Sequence, residues 1–137
     1  MVKRFDMLPE AAREIRTAVF MEEQGFREEF DELDGESVHL VLYCQGEPAA
    51  VARVYWDGEE DAHVIGRIAV VKQRRGTGLG RQVVEAGEAL AREQGGKRAR
   101  LAAQVQAAGF YEKMGYCRAG EEFLEEHCPH IWMEKEI

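Results

Sequence analysis

Ile68-Ala69-Val70-Val71-Lys72-Gln73-Arg74-Arg75-Gly76-Thr77-Gly78-Leu79-Gly80-Arg81 decides how this chain is expected to fold. Its apolar start ends a strand pattern that runs from Ala62 to Val71. A basic, glycine-rich turn follows. Then Leu79, Val83, Val84, Ala86, Leu90 and Ala91 recur at helical spacing, up to Gly95-Gly96, which suit a helix C-terminus. A strand that feeds such a turn and then a helix is an anion site in physical terms. Glycine admits positive φ and close approach of the backbone. The first N–H groups of a helix have no partners within it, and the dipole favours negative charge there. Lys72, Arg74, Arg75 and Arg81 add a local basic patch. A phosphate-bearing ligand is therefore expected. Two nucleotide loops are excluded by spacing. A Walker A loop needs GxxxxGK[ST], and no lysine here precedes Ser or Thr. The dinucleotide fingerprint needs GxGxxG in a first βα unit, whereas glycines 76, 78 and 80 lie mid-chain. The plain alternative is an ordinary glycine turn with solvated arginines.

Working outward, Met1 to Phe5 reads as a short strand. Leu8, Ala11, Ala12, Ile15, Ala18 and Val19 have helical spacing, with Pro9 in the first turn. Residues 21–37 are acidic and broken by Gly25 and Gly35, which reads as a loop with a short helix. His39 to Cys44 and Ala49 to Trp56 form a hairpin pattern around Gln45-Gly46-Glu47. Gly66 marks a distortion in the third long strand. Arg98 to Ala103 is a strand and Ala107 to Met114 a short helix. Tyr116 to Ala119 and His130 to Glu136 are final strands, and the acidic run Glu121 to Glu126 is a solvated turn. The order predicts an α/β or α+β fold with a mixed, mostly antiparallel sheet of about six or seven strands flanked by helices, not a doubly wound one.

Composition narrows the function classes. At 137 residues the chain is expected to be one domain, 1–137. Apolar residues make up 45%, enough for a core without disulfides or metals. The net charge of −8 argues against duplex nucleic acid and against acidic lipid as partners. No apolar run approaches the ~20 residues of a membrane span. Cys44, Cys117 and Cys128 are odd in number and irregular in spacing, so a reducing cytoplasm is the expected location. With no CxxC, and His127-x-x-His130 too short for a helical zinc pair, no metal is expected.

Arg75, Gly78 and Gly80 spell R-x-x-G-x-G, which resembles the coenzyme A pyrophosphate loop of the GNAT superfamily of acyltransferases. Gln73 to Gly78 fits a looser form of the same pattern. A second motif of that family, N-x-x-A-x-x-x-Y-x-x-x-G-[FY], is matched in register by Ala107, Tyr111, Gly115 and Tyr116, with Gln104 in place of the usual Asn. Val19 to Gly25, Asp31 to Asp34, Glu122 to Leu124 and Cys128 to Ile131 resemble the signatures of the small ElaA/YjcF-like branch. The likeness covers nearly the whole chain.

This resemblance implies transfer of an acetyl group from acetyl-CoA, as cosubstrate, to a primary amine of a small acceptor. It implies cofactor contacts at Arg75, Gly76, Thr77, Gly78, Leu79, Gly80 and Gln104. It also implies a splayed fourth strand whose Ile68, Ala69 and Val70 hold the thioester. Tyr111 matches the position of the general acid that protonates the departing thiolate. The base is open, because Gly66 and Arg67 occupy a stretch where relatives often have Glu. Glu22 and Glu23 rank first, as base or acceptor-binding groups, ahead of Asp31, Asp34, His39, Glu122 and His130. The acidic 22–34 segment predicts a cationic acceptor. The rivals are a non-catalytic acyl-CoA-binding or sensing module on the same fold, and an interaction domain whose loop binds no cofactor. A homodimer is left open.

Overall fold

A computed structural model gives the structure of residues 1–137. The strands are β1 (Val2–Phe5), β2 (Val38–Cys44), β3 (Glu47–Asp57), β4 (Ala62–Val70), β5 (Arg98–Gln104), β6 (Cys117–Arg118), β7 (Phe123–Glu125) and β8 (Cys128–Glu136). The helices are α1 (Glu10–Arg16), α2 (Leu79–Glu93) and α3 (Ala108–Glu112). One sheet has the order β1-β2-β3-β4-β5-β8-β6, with β7 added on β8. Every pairing is antiparallel except β4 with β5. That exception follows from α2, which carries the chain back to start β5 beside β4 as a crossover must.

Both faces of the sheet are covered. On one, Leu79, Val83, Val84 and Leu90 of α2 pack with Leu40, Leu42, Ala52, Ile65 and Leu101. On the other, Ala12, Ile15, Val19 and Phe20 pack with Val41, Val51 and Ala69. Leu40 and Val41 alternate between the two cores, as a period of two requires. The β2–β3 hairpin turns through Gln45 (φ 54°) and Gly46 (φ 81°), the positive-φ pair that a tight hairpin of this hand favours.

Three elements differ from the sequence expectation. Pro9 caps α1 rather than lying in its first turn. Past Arg16 the helix widens into π-helical turns over Thr17–Glu23, where apolar spacing alone suggested a continuous α-helix ending near Val19. The acidic run Glu121 to Glu126, expected as a turn, contains β7, which raises the strand count to eight. Three residues are too few for alternation to register, and β7 forms because Phe123 stacks on His130 and Trp132 of its partner strand.

Two irregularities in β4 open the sheet. Val51 faces Ala69 while Arg53 faces Gly66, so β4 carries an extra residue there, and Arg67 takes a left-handed φ of 50°. On the other edge, β4 pairs with β5 only at His63–Ala99 and Val64–Arg100. Beyond Val64 the two strands part, which is the splayed fourth strand.

At the closed end of the wedge, helix and strand approach so tightly that Gly96 cannot carry a side chain. A Cβ there would lie 2.4 Å from His63 Nδ1 and 2.9 Å from the Ala91 carbonyl. Gly96→Ala is expected to destabilise the fold by about 1–3 kcal/mol, the usual cost of overpacking. A denaturant midpoint equal to wild type would refute this.

Candidate active site

The parted edge of β4, the start of α2 and α3 enclose a cavity of about 560 Å³. Its ends differ in charge.

The basic end is the glycine turn. Gly76 (φ 80°) and Gly78 (φ 86°) are both left-handed, and Gly78 is the residue that starts α2. No side chain caps that helix and no acid lies in its first turn, so its leading N–H groups are free for an anion. Arg74, Arg75, Gly76, Gly78, Leu79, Gly80 and Arg81 all line the cavity, and Phe110 closes over Gly80. Thr77 does not; its hydroxyl donates to the Arg74 carbonyl at 2.8 Å and fastens the turn.

In the middle, Ile68, Ala69 and Val70 form a wall. Because no ladder joins this part of β4 to β5, backbone groups on that side are open to a ligand. Tyr111 faces them across the cavity from α3, 8% exposed, and burial pushes its phenol up to about 12. Its hydroxyl makes no bond within the protein. Gln104 lines the wall, but its amide donates to Gln24 Oε1 at 2.8 Å and accepts from Gln106 at 2.7 Å.

The far end is built from the segment between α1 and β2, which carries Phe26, Glu28 and Glu29, and from Arg67, Glu125, Glu126 and His130. A buried ion network holds that segment down. Arg16 binds Glu29 at 2.8 Å and Asp34 at 2.7 Å, and Arg53 binds Asp31 at 2.6 Å and Asp34 at 3.0 Å. Arg67 reaches Glu29 at 2.9 Å. Glu126 clamps the rim by accepting from the Arg27 and Glu28 backbone N–H groups at 2.9 and 3.0 Å. Burial pushes the Glu29 carboxyl up against the pull of Arg67 and Arg16. Burial also opposes ionisation of Asp34, yet the hydrogen bonds from Arg16 and Arg53 prevail and hold it at about 2. A folded-state value below the unfolded one stabilises the fold above the unfolded pKa and is lost as pH falls toward about 2. Asp34 is thus expected to contribute about 2 kcal/mol at neutral pH that disappears in acid. Asp34→Asn should narrow the stability gap between pH 7 and pH 3, read by denaturant titration at each pH.

The structure gathers Ile68, Ala69, Val70, Arg75, Gly76, Gly78, Leu79, Gly80, Gln104 and Tyr111 around one space. It does not bring Glu22 or Glu23 to that wall. Glu22 is exposed. Glu23 grips Arg75 through both oxygens at 2.7 Å, and the Arg75 guanidinium keeps its carboxyl below the usual range. Asp31, Asp34 and His39 belong to the ion network, where His39 Nε2 meets the Asp34 carbonyl at 2.9 Å. Glu122 is exposed. Of the candidate bases, only His130 lines the cavity. Glu29 was legible only as one acid among many. Its role depends on Arg67, and that pairing across the chain leaves no trace in local spacing.

A wedge in a mixed sheet, meeting an uncapped helix start behind a glycine-basic turn, defines an acyltransferase of the GNAT kind. The acetyltransferase (GNAT) domain model matches residues 6–137, and the chain belongs to that family. Within it the chain falls in the ElaA/YjcF-like branch. It is 38% identical over 125 residues to the uncharacterized N-acetyltransferase YjcF of Bacillus subtilis strain 168, covering 89% of this chain and 88% of that protein. The crystal structure of Escherichia coli ElaA superposes with a TM-score of 0.83 at 28% identity, covering 99% of this chain and all of the other. An acyl-CoA N-acyltransferase from Pseudomonas aeruginosa gives 0.83 at 30% identity, with 98% of each chain covered.

Proposed function

We propose that this protein moves an acetyl group from acetyl-CoA to the primary amine of a small cationic acceptor, by direct attack with both substrates bound. The observation that carries the reading is the single cavity that joins the uncapped start of α2 to the unpaired edge of β4. The glycine turn, with Arg74, Arg75 and Arg81 beside it, suits the phosphates of the cosubstrate. The free edge at Ile68 to Val70 offers backbone N–H groups to the thioester carbonyl, where negative charge grows during attack. Tyr111, held neutral by burial, is a proton donor throughout the physiological range, suited to the departing thiolate. The Pseudomonas aeruginosa relative, an acyl-CoA N-acyltransferase by its description, supports the same chemistry. Glu28, Glu29, Glu125 and Glu126 at the far end favour a positively charged acceptor.

The test is a panel of cationic, neutral and anionic primary amines with acetyl-CoA, read by release of free thiol. Cationic amines are expected to turn over best, with kcat/KM falling as salt rises. Binding of acetyl-CoA without thiol release from any amine would instead make the protein an acyl-CoA-binding module. Preference for anionic amines would overturn the acceptor assignment and leave the rest standing.

A further inference from the structure

The segment around β7 and β8 places one group at the acceptor end that the roles above leave unused. We infer that His130 takes the proton from the acceptor ammonium, a role that rests on the proposed acetyl transfer. Its side chain is 8% exposed and lines the cavity. Neighbouring Ile131 belongs to the core on the opposite face of β8, so strand alternation directs His130 to the cavity side. The ring is held by two aromatic contacts, stacked on Phe123 at 5.9 Å and edge-on to Phe26 at 6.3 Å. Nδ1 lies 2.9 Å from the Cys128 carbonyl, an acceptor only, so Nδ1 bears the proton and donates it there. Nε2 is then the nitrogen with the lone pair, and no protein group hydrogen-bonds to it. A buried imidazole with its tautomer set from behind and its basic nitrogen unpartnered is built to accept a proton.

The acids nearby are less available. Glu29 Oε2 is shared by Arg16 and Arg67, and Glu126 is occupied by two backbone N–H groups. The ionisable groups that line this end with His130 are Glu28, Glu29, Arg67, Glu125 and Glu126, with Tyr111 of α3 at the middle of the cavity. His127 packs against Phe26 at 4.9 Å and is not among the cavity-lining residues. β5 contributes Ala102 and the Gln104 amide, neither of them ionisable.

The protons balance as follows. The acceptor ammonium gives one proton to Nε2, and the freed lone pair forms the C–N bond to the thioester carbon. The C–S bond breaks with its electron pair on sulfur, and the thiolate takes the Tyr111 proton. The second proton of the nitrogen restores the phenol through water. The products are amide, thiol and an imidazolium that releases its proton to solvent.

His130→Asn keeps a donor near Nδ1 for the Cys128 carbonyl but has nothing at Nε2, and His130→Gln provides an independent second variant. Both are expected to lower kcat/KM for the best amine by roughly 10²–10⁴-fold at neutral pH. The acidic limb of the wild-type pH–rate profile should vanish, added imidazole should restore part of the rate, and the thermal shift with acetyl-CoA should be unchanged. Loss below tenfold with the acidic limb intact overturns the assignment and points to Glu29. A nitrogen-15 spectrum of the wild type with the ring proton on Nε2 overturns it without any kinetics. If wild type releases no thiol with any amine, the acetyl-transfer reading fails and this role fails with it.

Discussion

Gly78→Glu is expected to give a folded protein that coenzyme A no longer stabilises. Gly78 starts α2 in the left-handed region, at φ 86°. A Cβ there meets nothing within 4 Å, so packing offers no objection and the cost is backbone strain alone. That strain is about 1–2 kcal/mol, and a carboxylate beside the helix start returns roughly 0.3–1 kcal/mol through the dipole. The fold therefore survives. The same carboxylate stands where the phosphates of the ligand are expected and carries the same sign, so it both fills the site and repels them. Wild type should gain about 2.7 kcal/mol at a hundredfold excess of coenzyme A over Kd, and the variant close to nothing. At ~2–4 °C per kcal/mol for a domain near this size, thermal melts resolve the difference easily. Gly78→Ala separates the two effects: it carries the strain without the charge and should retain much of the ligand-induced shift. An undiminished shift in folded Gly78→Glu would remove the glycine turn from the binding site.

Local sequence carries the anion end of the cavity almost completely. Glycines 76, 78 and 80 are consecutive with the helix they start, so their geometry follows from residues a few positions apart. The distortion in β4 is legible for a similar reason, since Gly66 lies in the extra-residue irregularity against β3, whereas the splay from β5 is implied by the family resemblance and not by spacing. The acceptor end is different. Glu29 is drawn to Arg16 and Arg67, Glu126 to the backbone at Arg27 and Glu28, and His130 to a ring stack with Phe123 and an edge contact with Phe26. Arg67 and Glu29 lie 38 positions apart, and Arg27 and Glu126 lie 99 apart. Such pairings are set by topology, and no periodicity or spacing encodes them. The same reason separates Glu22 and Glu23 from the cavity: the widened turns Thr17–Glu23 place Val19 and Phe20 on its wall, while Glu23 is turned to Arg75. On the fourth strand this chain has Arg67, and Arg67 holds Glu29 there from another segment.

Tyr111→Phe is expected to cut kcat with the best amine by roughly 10²–10⁴-fold while leaving acetyl-CoA binding nearly intact. The substitution removes one oxygen and keeps the ring. Packing against Phe110 at 5.0 Å and Tyr116 at 6.1 Å is therefore preserved. No hydrogen bond within the protein is lost, because the hydroxyl makes none. The folded state should accordingly melt near the wild-type temperature, and any loss of rate reports on the hydroxyl's own chemistry. Burial holds the phenol at about 12, so it remains protonated through the working pH range and the wild-type rate should show no limb from its ionisation below about pH 10. Its proton is needed only as the C–S bond breaks, which places the effect in kcat rather than in the binding of acetyl-CoA. An acceptor whose attack is already slow should show the smaller loss, and acyl thioesters with more acidic leaving thiols should narrow the gap between Tyr111→Phe and wild type, because a better leaving group needs less help. Equal rates for the two proteins under chemistry-limited conditions would reduce Tyr111 to a packed aromatic at the cavity wall.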